Sequence, residues 1–488
     1  MPRELSREPR STPRAPATLA RRLGLGGAIR LNMLDMIGVG PFITLPLMLR
    51  LESPAVALLA WGLGALLALC DGMIWSELGA SLPQAGGSYQ YLKTIYGERR
   101  WGRMFSFLFA WQVLFSAPLS IASGAIGLAH YAGYLWPSLH QVWFAWTWGA
   151  ASGLRIGPGT VVAMGVCLLA TYLLARDLGH IERLAYWLWA GVMLALAWII
   201  VAGLLHFNLR HVLSASPPAT ATGAWSGLAA AMLIATYDYW GYYNICFLGG
   251  ELKDAPRTLP RAVLGSIGLV AVLYILMNLG ILAVIPPAWF HAAGHVQTRN
   301  AVAAVFMSRL YGPWGGRIAA LLIIWTAFGS LFSLLLGYSR VPWAAARDGN
   351  FFSGFGRLDA GGRFPRPTLL FLGFAGALAC TLTLYQVIAA LVVVRLVLQF
   401  LLQAVGLLWL RRRQRAIERP FRMWLYPLPA LAAIAGFLYM LLGRPQFGRE
   451  LAVAGLLLGF GLAFFLLRAR RSATWPFAVS TQPAGEEF

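Results

Sequence analysis

Apolar residues in this chain run in long blocks, and polar positions are confined to short stretches between them. A helix of roughly 20 apolar residues crosses about 30 Å of hydrocarbon, and blocks of that length recur along most of the sequence. The pattern predicts twelve spans, near 30–51, 54–75, 104–134, 157–175, 183–206, 223–247, 261–285, 313–338, 367–385, 386–410, 427–443 and 448–468. The third block is longer than one crossing needs and is expected to include an interfacial turn. An all-α polytopic membrane protein follows.

Two of these blocks carry residues that a continuous helix rejects. Ile37-Gly38-Val39-Gly40-Pro41-Phe42 places two glycines and a proline within four positions of the first span, with Pro46 close behind. Glycine loosens helical backbone, and interior proline deletes a hydrogen bond and clashes. Freed backbone groups are tolerated at membrane depth only where they are buried in protein or line a polar cavity. The sixth span has a second such segment, Tyr237-Asp238-Tyr239-Trp240-Gly241-Tyr242-Tyr243-Asn244. A pair of interrupted spans in corresponding positions points to a solute site at mid-membrane.

Composition agrees: 59% of the residues are hydrophobic and the mean hydropathy is +0.65. The formal net charge of +21 raises the possibility of a nucleic-acid partner. With the N-terminus in the cytoplasm, however, most lysines and arginines fall in cytoplasmic segments, and the charge reads as the positive-inside rule. Both termini are then cytoplasmic, the bilayer is the partner, and no nucleic-acid role is expected. Residues 1–28, rich in Arg, Pro, Ser and Thr, read as a disordered basic tail with no cleavable signal. Cys70, Cys167, Cys246 and Cys380 all lie in or beside spans, so they read as small buried residues and not as a disulfide or metal framework.

The chain also resembles itself. Tyr96-Gly97, Trp101-Gly102 and Arg103 precede the third span, and Tyr311-Gly312, Trp314-Gly315 and Arg317 precede the eighth. Five spans separate the two sites, which places them on opposite membrane faces, as an inverted repeat of five spans requires. The expected organisation is a first repeat over 29–206, an outer linker over 207–222 and a second repeat over 223–410. Two further spans occupy 411–470, and a cytoplasmic tail occupies 471–488. Asn300 to Leu310 is expected to make a short surface helix, and the 339–366 loop to be partly helical.

Four segments now resemble those of the amino acid–polyamine–organocation (APC) superfamily. The break at Ile37–Phe42 is similar to that family's Gly-x-Gly-x-Phe. Glu77-Leu78-Gly79-Ala80, followed by Pro83, Gly86, Gly87, Ser88, Tyr89, Tyr91 and Leu92, resembles its segment after span 2. Trp240-Gly241-Tyr242-Tyr243-Asn244 with Gly250-Glu251-Leu252-Lys253, Pro256, Arg257, Thr258 and Pro260 is similar to its span 6 signature. Ser339-Arg340 and Ala346-Arg347-Asp348-Gly349 resemble the segment after span 8. The resemblance covers residues 30 to 410. It implies a leucine-transporter-like 5+5 inverted repeat with discontinuous helices 1 and 6. It also implies secondary active transport of amino acids or amines across the plasma membrane, by symport or exchange. The chain departs from the family in two places: its only lysines, Lys93 and Lys253, lie outside span 5, and Tyr243 stands where members often have Asp.

An amino acid zwitterion needs donors for its carboxylate and acceptors for its ammonium. Broken-helix N–H groups at a positive dipole end supply the first, so Gly38, Val39 and Gly40 are assigned to carboxylate binding, with Ile37 beside them in the substrate site. Carbonyls around Tyr239, Trp240 and Gly241 supply the second, and Tyr239 or Trp240 is the candidate gate. Asp35 and Asp238 are intramembrane carboxylates, which face a cavity or a partner. For Asp35 a proton carrier, a receiver for a cationic group and a capping acceptor all remain open; for Asp238 capping of the break leads. Arg395, in mid-span, is either a structural ion-pair partner of one of these aspartates or a substrate or coupling residue. Thr326, Ser330 and Ser333 share one face of span 8, where hydroxyls either bond their own helix or help to hold sodium. Glu251 and Lys253 fit an inner gate. His130, His140, His206, His211, His291 and His295 read as surface residues.

No metal cluster, nucleophile triad or nucleotide loop occurs in the sequence, so an enzyme and a cofactor are not expected. A channel or receptor is a distant alternative, and a polyamine or cationic amine carrier is the nearer one.

Overall fold

The computed structural model describes residues 19, 21–147, 153–176, 181–213, 224–291, 299–359, 364–383, 392–414, 416–444 and 447–477. The tail up to residue 18, most of the 207–222 linker with Pro217 and Pro218, His295, residues 386–391 of the tenth block and the tail from 478 lie outside the described residues.

The chain is mostly helical. In order the helices are α1 (Leu25–Met36), α2 (Pro41–Leu51), α3 (Pro54–Ser81), α4 (Ser88–Ile95), α5 (Trp101–Leu135), α6 (Pro158–Arg176) and α7 (Ile181–Leu205). There follow α8 (Leu209–Val212), α9 (Ala224–Tyr239), α10 (Asn244–Phe247), α11 (Ala255–Val284), α12 (Pro287–His291), α13 (Val302–Tyr338) and α14 (Arg340–Arg347). The last four are α15 (Arg366–Ala379), α16 (Val392–Arg413), α17 (Leu428–Leu442) and α18 (Phe447–Arg471). Among the described residues, eight helices are long and apolar enough to cross a membrane, and the bent pair α1–α2 makes a ninth.

Both interruptions are present. α1 stops at Met36, residues 37–40 are non-helical, and α2 starts at Pro41, whose missing N–H and fixed φ suit the first helical position. The two pieces meet at 42°. α9 stops at Tyr239, a turn occupies 240–243, and α10 resumes at Asn244. α1 packs against α7, α11 and α13, α2 against α9, and α3 fills the space between α9 and α11. The two breaks therefore lie side by side at the centre, with α5 and α13 packed together beside them.

Several expectations need correction. α5 is one helix of 35 residues with no interfacial turn; it runs beyond a single crossing and carries Trp101, 54% exposed, at its start. The bend lies before it, at Gly97, whose φ of +88° suits glycine. Residues 302–310 are helical but not on the surface. Val302, Ala303, Ala304, Phe306 and Met307 are buried, and the helix joins the next span through an elbow at Gly312, φ +72°. Each long helix is thus preceded by a shorter one and a left-handed glycine. A two-stranded antiparallel hairpin, β1 (Phe144–Thr147) with β2 (Gly153–Ile156), departs from the all-helical expectation. Its Phe144 and Trp146 are exposed, so no buried apolar block announced it. Cys167 and Cys380 are buried as expected, and they face each other across α6 and α15 at 3.7 Å.

Candidate substrate site between the two breaks

The first break leaves backbone unpaired where helix geometry fails. The Ile37 N–H still reaches the Met33 carbonyl at 2.8 Å, and the Gly38 N–H turns back to the Met36 carbonyl at 3.0 Å. Among the described residues the N–H groups of Val39 and Gly40 donate to no protein acceptor. They stand at the N-terminus of α2, where the helix dipole is positive. Of the three positions assigned to carboxylate binding, Gly38 has therefore spent its donor and Val39 and Gly40 have not.

The second break interlocks with the first. Gly241 has φ +119°, and a Cβ there would lie 2.8 Å from the Met36 nitrogen and 2.9 Å from the Asp35 carbonyl carbon. A Cβ on Gly40 would lie 2.2 Å from Asp238 Oδ1. Glycine is needed at both places so that one break can sit against the other. Asparagines fasten the joint: Asn32 Nδ2 donates to the Tyr242 carbonyl at 2.6 Å, and Asn32 Oδ1 accepts from the Ile245 N–H at 3.0 Å. Asn244 Nδ2 donates to the Ser333 carbonyl at 2.9 Å, and the Tyr274 hydroxyl donates to the Met36 carbonyl at 2.6 Å. None of these fasteners was singled out from sequence, because each joins positions far apart in the chain.

Between the breaks is a chamber walled by α1, α2, α5, α9, α13 and α16. Asp35, Gly38, Val39, Gly40, Asp238, Trp240, Gly241, Ser330 and Arg395, all selected from sequence, line it. Ile37, Tyr239 and Ser333 do not. The Ile37 side chain is fully buried, and the Tyr239 ring is packed edge-on against Trp61 at 5.6 Å and tilted against Tyr274 at 5.3 Å. Residues two apart on a helix point to nearly opposite faces. It is accordingly Tyr237 that reaches the chamber, and its hydroxyl meets Ser123 Oγ at 3.3 Å. Tyr243, Tyr338, Ser120 and Thr44 also line the chamber and were not chosen from sequence.

The Asp35 carboxylate faces the chamber and makes no hydrogen bond or ion pair among the described residues. Asp238 does not cap the break; its Oδ2 accepts from the Thr44 hydroxyl in the first turn of α2, and its Oδ1 is buried without a partner. Neither aspartate pairs with Arg395. Arg395 Nη2 donates instead to Ser120 Oγ at 2.7 Å and to the Ser116 carbonyl at 3.3 Å, and the guanidinium lies over the rings of Tyr338 and Trp240.

The hydroxyls of α13 are already committed. Thr326 bonds its own helix, to the Leu322 carbonyl at 2.8 Å. Ser330 and Ser333 donate to the α1 carbonyls of Asp35, at 3.3 Å, and Leu31, at 2.7 Å.

On one side the chamber is closed by several layers. Tyr243 stacks on Trp75 at 4.9 Å and meets the Tyr338 hydroxyl at 3.3 Å, with Phe247 and Tyr91 beneath. Beyond them Arg340 Nε donates to Glu251 Oε1 at 2.8 Å, and Lys93 pairs with Asp348 at 2.8 Å. Backbone bonds from Arg22 N to the Glu251 carbonyl and from Lys253 N to the Leu23 carbonyl, both 2.9 Å, fasten the start of α1 to the segment after α10. Glu251 thus joins this closure through its side chain and Lys253 through its backbone. Toward the other side the lining follows α2 out to Leu47, 41% exposed. The histidines are not uniformly on the surface: His130 is half-buried with His140 in a separate pocket, and His211 bonds the Ala283 carbonyl.

A chamber that holds charged and hydroxyl side chains among apolar helices, bounded by two interrupted helices and closed more heavily on one side, defines a membrane transporter for a small solute. The chain belongs to the amino acid permease family of the APC superfamily: residues 23–466 match the family described as "Amino acid permease". It is similar to the serine/threonine exchanger SteT of Bacillus subtilis, 28% identical over 430 residues that cover 87% of this chain and 91% of that protein. It is also similar to the human Asc-type amino acid transporter 1, 27% identical over 83% of this chain and 74% of that one. The human large neutral amino acids transporter small subunit 2 is 28% identical over 72% and 63% of the two chains. The family comprises transporters, not enzymes.

Proposed function

We propose that the protein carries amino acids across the plasma membrane by alternating access, binding the zwitterionic head group between its two breaks. The observation that carries this reading is the placement of opposite attractions in one chamber. The unpaired N–H groups of Val39 and Gly40 at the positive end of α2 suit a carboxylate, and the unpartnered Asp35 carboxylate suits an ammonium. Carbonyls at the turn after Tyr239 would add acceptors. Tyr237, with Trp240 beside it, would cover the substrate.

Twelve crossings follow if α9 with its break, α15 and α17 join the nine apolar spans. The matched elbows at Gly97 and Gly312, each joining a short helix to a long one, support an inverted repeat of residues 29–206 and 223–410. On this reading 207–222 links the halves, 411–470 adds two spans, both tails (1–28 and 471–488) are cytoplasmic, and the multilayered closure faces the cytoplasm.

Coupling follows from the same contacts. The Ser330 and Ser333 hydroxyls hold α13 to the α1 carbonyls of Asp35 and Leu31, and exchange or proton coupling, with no sodium bound there, is the reading carried forward. The name of one relative, a serine/threonine exchanger, agrees with small amino acids as cargo. Asp35 favours an amine carrier as the second reading, but Arg395 in the same chamber opposes a polycation.

The test is reconstitution of the full chain into liposomes loaded with L-serine, with uptake of radiolabelled L-serine challenged by amino acids, amino acid methyl esters and putrescine. Saturable uptake blocked by free amino acids but not by their esters is expected. Inhibition by putrescine and by esters alone would refute the reading.

A further inference from the structure

Arg395 is a full positive charge in the chamber that a zwitterionic head group leaves unused. An arginine at membrane depth is costly to insert, so it ordinarily pairs with a carboxylate or reaches water. This one is 3% exposed. Among the described residues it has no carboxylate within ion-pair distance. One of its three nitrogens, Nη2, is hydrogen-bonded, and Nε is buried with no acceptor at all. The two hydrogen bonds and the flanking rings of Tyr338 and Trp240 hold the guanidinium in place without neutralising it.

Its hydrogen bonds anchor it to a different wall from the head-group contacts. Gly38 and Gly40 abut Ser330 and Asp238, on α13 and α9. Arg395 belongs to α16 and is braced by Ser116 and Ser120, one turn apart on α5, on another wall of the chamber. An amino acid with its carboxylate at Val39 and Gly40 and its ammonium at Asp35 has only its side chain left to meet the guanidinium.

We propose that Arg395 forms a side-chain subsite for a carboxylate, so that the chamber admits acidic amino acids as well as small neutral ones. The three charges of an acidic amino acid then meet three complementary groups, the α2 N-terminus, Asp35 and Arg395. A planar guanidinium with free N–H groups matches a carboxylate in two-point contact, which a neutral amide of the same shape reproduces only in part.

This inference rests on the permease reading, and the experiment separates the two. In the L-serine-loaded liposomes, the concentrations of L-glutamate and L-glutamine that halve labelled L-serine uptake are compared for the wild-type chain, Arg395→Gln and Arg395→Lys. Glutamate and glutamine have the same shape, so their ratio isolates the charge. Wild type is expected to favour glutamate. Arg395→Gln is expected to shift the ratio toward glutamine by about tenfold or more, the scale of a lost charge-assisted hydrogen bond. Arg395→Lys is expected to fall between them, because it keeps the charge without the fork. An equal shift for both ligands, or a wild-type chain that glutamine inhibits and glutamate does not, would overturn the subsite. If Arg395→Gln cannot be purified in folded form, the wild-type comparison and Arg395→Lys still decide. Failure of every amino acid to be taken up would refute the permease reading itself.

Discussion

Gly241 is the tightest joint between the two interrupted helices, and replacing it with alanine tests whether that joint makes the site. Its φ of +119° lies where L residues pay about 1–3 kcal/mol. The new Cβ would also press to 2.8 and 2.9 Å on the Met36 nitrogen and the Asp35 carbonyl carbon. These are backbone atoms with no rotamer to change, so overpacking adds about 1–3 kcal/mol. The added strain, about 2–4 kcal/mol at the low to middle of that range, shifts an equilibrium toward separated breaks by about 30- to 700-fold. Apparent affinity falls with the competent fraction, so the KM for L-serine uptake should rise at least about tenfold. The assay is initial-rate uptake in proteoliposomes, normalised to monodisperse protein. Gly268→Ala is the matched control: a Cβ there meets nothing within 4 Å, and α11 should gain helix propensity. A Gly241→Ala protein with wild-type KM would show that the breaks do not need to touch, and the argument from their interlock would fail.

Asp35→Asn should weaken uptake of amino acids about tenfold or more, the scale of a hydrogen bond to a charged group, and an unchanged KM across pH would remove Asp35 from both ammonium binding and coupling. Glu251→Gln should lower thermal stability by about 1–3 kcal/mol, since it leaves the buried Arg340 guanidinium without the counter-charge of its half-buried partner. Adding Arg340→Met should restore part of it, and a double variant no better than the single one would exclude an orphaned charge as the cause. Ser333→Ala should cost about 1–3 kcal/mol by stripping the Leu31 carbonyl and Asn244 of a partner, read as a fall in Tm. Replacing sodium by choline on both sides of the liposome should leave L-serine exchange unchanged; loss of exchange would point to a cation between α1 and α13.

The breaks were legible because their chemistry is local. Two glycines and a proline end a helix wherever they stand, and Pro41 begins the next one for the same reason. The rotation of α9 about its axis was not legible. Tyr237 and Tyr239 lie one residue to either side of Asp238, so that one carboxylate did not say which ring faced inward, and Tyr239 was taken for a chamber residue when packing on Trp61 and Tyr274 turns Tyr237 inward instead. Ile37 failed for a related reason, since adjacency to a break does not fix where a side chain points. The partners of Arg395, and the Asn32 and Asn244 fasteners, depend on contacts more than 80 residues apart, which periodicity does not encode. The elbows at Gly97 and Gly312 could have been found, because a lone Tyr-Gly before a long apolar block is a turn signal.

The unequal closures suggest where the transport cycle spends free energy. Toward Leu47 the described contacts are hydroxyl bonds, Tyr237 to Ser123, Thr44 to Asp238 and Tyr131 to the Phe42 carbonyl, each worth about 1–3 kcal/mol or less. Toward Glu251 a stacked aromatic layer, two ion pairs and paired backbone all have to separate. No single contact with a small solute can offset that, so substrate must act by favouring a state in which the heavy closure is already weakened. Gly241 and Tyr243 make this mechanically direct. The same four-residue turn touches α1 at Asp35 and Met36, where substrate would bind, and forms the first aromatic layer of the closure through Tyr243 on Trp75. A ligand that draws the two breaks together therefore loads the top of the closure through a turn that makes few helical hydrogen bonds, the Trp240 N–H to the Thr236 carbonyl among them.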